Sequence, residues 1–248
     1  MQATQAVSNC CNQTTRRSFL RAAGIATAAG LLSAGPFSGF AYAAALTKAQ
    51  RDKLTPDEII AMMKRGNERF RSGKKSTQDF LAQQKASAKG QYPAAVILSC
   101  IDSRASAETI MDLGIGDVFN ARVAGNIAND DILGSMEFAC AAAGAKVVLV
   151  MGHTACGAIK GAIDDVKLGN LTGLLARIQP AVTGTSYQGD RSARNNAFVD
   201  AVARKNVELT MESIRKGSPV LSELKAKGAL NIVGAMYDIA SGKVDFFA

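Results

Sequence analysis

The chain has no tryptophan, a single histidine, four tyrosines and only five prolines among its 248 residues. A lone histidine, His153, excludes any site assembled from several imidazoles. With aromatic residues at 6%, there is little to stack on nucleic-acid bases. The net charge of +8 is spread along the chain without a basic stripe, so no nucleic-acid partner is expected. The five cysteines are Cys10, Cys11, Cys100, Cys140 and Cys156, and no two stand in C-x-x-C spacing. That spacing argues against thiol redox chemistry. No internal repeat or low-complexity linker follows residue 43. With 48% hydrophobic residues, the chain can bury one substantial core, and a single domain over residues 44–248 is the simplest organisation.

Residues 1–43 read as a targeting segment. Thr15, Arg16, Arg17, Ser18, Phe19, Leu20 and Arg21 precede an apolar stretch from Ala22 to Phe40, followed by Ala41, Tyr42 and Ala43. A paired arginine, a moderately apolar run and an A-x-A site have the form of a cleaved twin-arginine signal peptide. The export machinery is then a transient partner and the periplasm the destination. A membrane anchor is the rival reading, but the stretch is rich in Ala and Gly and carries Pro36, so no permanent anchor is expected. Cys10 and Cys11 precede the apolar stretch and leave with it. Cys100, Cys140 and Cys156 remain, an odd number that does not suit a disulfide framework.

Thr55-Pro-Asp-Glu opens an amphipathic helix through Ile59, Met62, Met63 and Phe70, and a second helix, opened by Thr77, is predicted from Gln78 to Ala88. Apolar segments at 94–99, 117–123, 146–151 and 230–235 read as strands. Helical stretches at 107–113, 131–143, 157–165, 171–182 and 192–216 lie among them. Tyr237-Asp-Ile, a Ser241-Gly242 turn and residues 244–247 read as a closing hairpin. Continuous apolar strands separated by helices predict an α/β fold, a mostly parallel β-sheet flanked by helices.

The chemistry concentrates in two segments. Cys100-Ile-Asp102-Ser-Arg104 follows the first strand, and Gly152-His153-Thr-Ala-Cys156-Gly157 follows a later one. Carboxyl ends of parallel strands form the ligand crevice of such sheets, so the two segments reach one rim. Two thiolates and an imidazole suit one Zn2+ per subunit, which favours tetrahedral sulfur and nitrogen ligands. Cys140 lies in an Ala-rich helical run and reads as a small buried residue. Asp102 is the natural fourth ligand. Arg104 competes for it, because a guanidinium holds a carboxylate by paired charge-assisted bonds. An aspartate moving between zinc and arginine would open and close the site; a structural ion pair beside the metal is the plainer alternative.

C-x-D-x-R followed by G-H-x-x-C-G, with Arg122 and Asn126 in Phe-Asn-Ala-Arg-Val-Ala-Gly-Asn and with Gly134-Ser-Met-Glu-Phe beyond, resembles the β-class carbonic anhydrases from about Thr55 onward. The resemblance implies reversible hydration of carbon dioxide to bicarbonate and a proton by zinc-bound hydroxide. It places Cys100, His153 and Cys156 on zinc, with Asp102 joining them only in a closed state, and gives Asp102 and Arg104 the catalytic role. Gln91, Phe119, Phe138 and Gly157 fall at substrate-binding positions, though Phe119 and Phe138 also suit ordinary core. Ala124 stands where the family has valine and Phe138 where it has tyrosine. Arg122 and Tyr237 match an inhibitory bicarbonate site of some members, but Ile97 replaces its tryptophan. A homodimer or higher homo-oligomer is implied, with N-terminal helices packed across a neighbour and the site near the interface. Two thiolates offset the metal's charge, so activity is expected to rise toward alkaline pH. Two alternatives stay open: hydrolysis of carbon disulfide or carbonyl sulfide on a related fold, and a non-catalytic zinc-stabilised binding module with Asp102 permanently on the metal.

Overall fold

The structure, a computed structural model, describes residues 45–247, and the proposed signal segment lies outside the described residues. Strands β1 (Ala95–Ser99), β2 (Val118–Arg122), β3 (Val147–His153) and β4 (Asn231–Tyr237) run parallel. β5 (Val244–Phe247) returns antiparallel to β4, giving the order β2-β1-β3-β4-β5. Every residue of β1 and β3 is buried, the pattern of a sheet covered on both faces. Alternation divides them between two cores: Ala95, Ile97, Val147 and Leu149 point into one, Val96, Leu98, Val148 and Val150 into the other.

The first core is covered by α2 (Pro56–Arg71), whose Ile59 and Met63 are fully buried. Thr55 and Glu58 form the expected capping box and Pro56 takes the first turn. Asn67, near the end of α2, binds three distant backbone groups: its Nδ2 donates to the carbonyls of Ile110 and Gly242, and its Oδ1 accepts from Val244 N. Stranding one such buried group costs about 1–3 kcal/mol. The second core is covered by α9 (Asn196–Gly217), whose Val207, Met211 and Ile214 follow helical spacing, and by α10 (Pro219–Ala226).

Several boundaries differ from the sequence reading. α1 (Lys48–Lys53) precedes α2, with its own Thr47–Gln50 capping box. α3 is Phe80–Ser87 and begins at Asp79, whose carboxylate accepts from Ala82 N, so Thr77 does not open it. The helix expected at 107–113 is the short α4 (Ala107–Ile110), ended by the left-handed Asp112. α5 (Asp130–Glu137) passes into a π-helical turn, Phe138–Ala142. The segment 171–182 is two helices, α7 (Gly169–Ala176) and α8 (Gln179–Gly184), with Pro180 in the first turn of the second. α6 is Gly157–Ile163. Among the described residues no helix is long and apolar enough to cross a membrane.

Candidate metal centre

Cys100 follows the last residue of β1 and His153 ends β3, so adjacent parallel strands bring both to one rim. Cys156 caps the start of α6. The three ligand atoms all lie within 4.8 Å of one another, and the residues are 4%, 1% and 1% exposed respectively. His153 Nδ1 lies 2.9 Å from the Thr154 carbonyl oxygen. A carbonyl only accepts, so Nδ1 carries the hydrogen and, in the neutral imidazole that binds a metal, Nε2 keeps its lone pair. That Nε2 is buried without a partner in the protein. A buried acceptor facing two thiols fits a zinc ion, whose Zn–N and Zn–S bonds are about 2.0–2.3 Å.

Without a metal the three groups share protons unequally. Interaction with the Cys156 thiol pulls Cys100 down to about 4 against its burial, and His153 and the Gly125 N–H reinforce this. Cys156 is pushed far up by the same Cys100 thiolate and by burial. Burial is the largest single influence on His153 and lowers it, but Cys100, the Thr154 carbonyl and Asp102 together outweigh burial and raise the imidazole. Zinc uptake must therefore displace at least the Cys156 proton. Apparent zinc affinity should rise about tenfold per pH unit for each proton released. Competition with a chromophoric chelator between about pH 6 and pH 8 reads this directly, and a flat profile would contradict it.

Asp102 is bound by Arg104 at both oxygens. Arg104 Nε donates to Oδ1 at 2.9 Å and Nη2 to Oδ2 at 2.7 Å, while the Arg104 backbone N–H adds a bond to Oδ1 at 2.9 Å. Bonding to the Arg104 side chain, opposed by partial burial, holds the carboxyl well below the usual carboxylate range. Oδ2 also lies 3.9 Å from His153 Nε2, which puts the dyad beside the ligand cluster. Arg122 secures this segment from β2: its Nε donates to Cys100 O at 2.9 Å and Nη2 to Asp102 O at 2.6 Å. Ile97 is fully buried in the core and Tyr237, paired with His153 across β3 and β4, is 5% exposed.

The substrate-binding positions are placed less uniformly. Gly157 follows Cys156 at the start of α6, exposed, with open space where a Cβ would project. Phe119 and Phe138 meet edge-on at 6.0 Å and line an open groove with Val96, Ala121, Asp131 and Ser135. Phe119 pairs with Val96, four residues before Cys100, so within one protomer this groove stands away from the cluster. Gln91 is exposed and precedes the amino end of β1, whereas the cluster is at the carboxyl end. The fold of one chain thus unites Cys100, His153, Cys156, Asp102, Arg104 and Gly157 but leaves Gln91, Phe119 and Phe138 apart from them.

The sequence reading missed two supports of the cluster. Gly125 N donates to Cys100 Sγ at 3.4 Å, made possible by its φ of 68°. Thr154 ties the metal loop to the end of β4, its N–H donating to Tyr237 O and its Oγ1 accepting from Ile239 N. Only the glycine itself, in Ala-Gly-Asn, signalled the first.

A parallel sheet presenting two cysteines and one histidine on its carboxyl rim, beside an aspartate–arginine pair, defines a zinc-type hydrolytic or hydrating centre. The sequence model of the carbonic anhydrase family matches residues 95–244. The chain is 35% identical over 187 residues to carbonic anhydrase 2 of Mycobacterium tuberculosis, covering 73% of this chain and 87% of that protein. It is 31% identical to the carbonic anhydrase of Mycolicibacterium smegmatis, covering 74% and 89%. Among solved structures it is similar to a tetrameric β-carbonic anhydrase of Sordaria macrospora, with a TM-score of 0.60 at 28% identity over 65% of this chain and 83% of that one. A β-carbonic anhydrase of Aspergillus fumigatus gives 0.59 at 27% identity, over 66% and 79%. The chain belongs to the β-class carbonic anhydrase family.

Proposed function

We infer that the chain catalyses the reversible hydration of carbon dioxide to bicarbonate and a proton, with one zinc ion per subunit held by Cys100, His153 and Cys156. The convergence of these three buried ligand atoms within 4.8 Å carries the reading. Zinc, when bound, acts as a Lewis acid that makes hydroxide available near neutral pH. The chain's residues do the rest. Arg104 holds both oxygens of Asp102, which keeps the carboxylate ionised and turned toward the guanidinium. Oδ2, which takes its bond from Arg104 Nη2 and lies on the His153 side, is placed to accept a hydrogen bond from the attacking nucleophile and orient it. This arrangement favours the enzyme over the binding module, because Asp102 is engaged by arginine.

Stopped-flow hydration of carbon dioxide by zinc-replete protein from Ala44 onward tests the reading. The rate is expected to require zinc and to rise with pH. Zinc-loaded protein with no carbon dioxide activity, but turnover of carbonyl sulfide, would favour the altered-substrate alternative.

The separation of Gln91, Phe119 and Phe138 from the cluster supports a pocket completed by a second copy. The two phenylalanines form an open groove beside the edge strand β2, and Phe138 is 57% exposed. The similar Sordaria macrospora enzyme is tetrameric. In such an oligomer, α1 and the outer face of α2 are available to pack across a neighbour. Sedimentation of the same sample as a monomer would remove this part of the reading. The twin-arginine form of residues 15–21 and the A-x-A site at 41–43 support export to the periplasm. A processed chain beginning at Ala44 is expected by mass spectrometry, and a retained Arg16-Arg17 segment would count against it.

A further inference from the structure

Two loops fix the sulfur ligands, the one after β2, which supports Cys100, and the one after β3, which carries Cys156, and one helix holds both. On the first, Gly125 donates to Cys100 Sγ, and its carbonyl accepts from Nδ2 of the buried Asn206 at 2.7 Å. On the second, Ala155 stands between His153 and Cys156 with φ 53°, a left-handed backbone that a residue with a Cβ adopts only when its surroundings enforce it. Its N–H donates to Asp200 Oδ1 at 2.9 Å. Asp200 and Asn206 both lie on α9. The helix comes this close because Gly152, next to His153, has no side chain: a Cβ there would meet Val207 Cγ2 at 2.7 Å and the Ala203 carbonyl oxygen at 3.6 Å.

We propose that Asp200 and Asn206 are positioning residues that hold the Cys156-bearing loop and the Gly125 loop behind Cys100 in the shape zinc binding requires. The inference rests on the zinc reading above and extends it to residues that touch no ligand atom. Each acts through a peptide group: Asp200 through the Ala155 N–H, Asn206 through the Gly125 carbonyl. Removing the Asp200 acceptor lets Ala155 relax from its left-handed conformation, and Cys156, the next residue, moves with it. Removing Asn206 frees the peptide whose neighbour supports Cys100. Supports of this kind typically govern metal affinity by about 10–100-fold.

The test is zinc affinity by chelator competition for the unsubstituted protein, Asp200→Ala, Asp200→Asn and Asn206→Ala. It is read alongside the sulfur-to-metal charge-transfer band of the cobalt-substituted forms and the melting of the apoproteins. Asp200→Ala and Asn206→Ala are expected to bind zinc about 10–100-fold more weakly with a shifted cobalt band. Asp200→Asn, whose amide oxygen still accepts from Ala155, should stay close to the unsubstituted protein. The proposal is overturned if both alanine variants keep affinity and spectrum. It is equally overturned if Asp200→Asn falls as far as Asp200→Ala, or if apoprotein melting drops while zinc affinity holds. Failure of the unsubstituted chain to take up zinc would remove the zinc reading itself, and this inference with it.

Discussion

Cys156→Ala should abolish both bound zinc and carbon dioxide hydration, with a loss of at least about a thousandfold. That exceeds the 10–100-fold which removal of a mere support for a ligand costs. Cys156 is buried at the start of α6, and among the described residues no other cysteine is near enough to replace it: Cys140 lies in the second core, its thiol pushed up to about 12 by burial. Metal analysis and stopped flow on the same preparation check both halves. Zinc retained at one per chain with normal turnover would show that the cluster is not the reacting centre.

Arg104→Ala separates metal binding from catalysis. The three ligands stay in place, so zinc content should be unchanged, while hydration falls on the order of a hundredfold, as when one positioned polar group is removed from an active site. The physical reason is Asp102. Two side-chain bonds and one backbone bond now fix it, and the guanidinium supplies both side-chain bonds. Without them the carboxylate is free to turn toward the metal and occupy the position the reaction needs. Arg104→Lys should recover only part of the rate, because an ammonium cannot make the paired contact. Full activity in Arg104→Ala would assign the pair a purely structural role.

The motifs were legible because each combined a rare residue type with a strand end. His153, with no rival histidine, and Cys100 fall where apolar strands stop, and parallel pairing of β1 with β3 then guarantees that they meet. The strands were legible for the same reason: continuous apolar runs buried on both faces. Helix ends were harder. Pro180 breaks a stretch whose apolar content runs on, and Asp79 takes the cap that Thr77 was expected to supply. The π-helical turn at Phe138 leaves no mark on periodicity at all. Gln91, Phe119 and Phe138 show the limit of linear reading. Their positions carry a resemblance, but a substrate wall is a matter of proximity, and one chain does not bring them to the cluster.

An early and a late part of the chain meet at Asn67, whose amide joins α2 to the last residue of α4, the β4–β5 turn and the start of β5. The metal loop leans on the same late segment, since Thr154 is bonded to Tyr237 and Ile239. During synthesis, then, α2 lacks its anchor and the His153–Cys156 loop lacks its brace until residues 237–244 have left the ribosome. Contacts of such sequence separation form late and close cooperatively. Metal loading therefore waits on the β4–β5 segment: a product that stops short of it has the ligands in its sequence but not the walls that aim them.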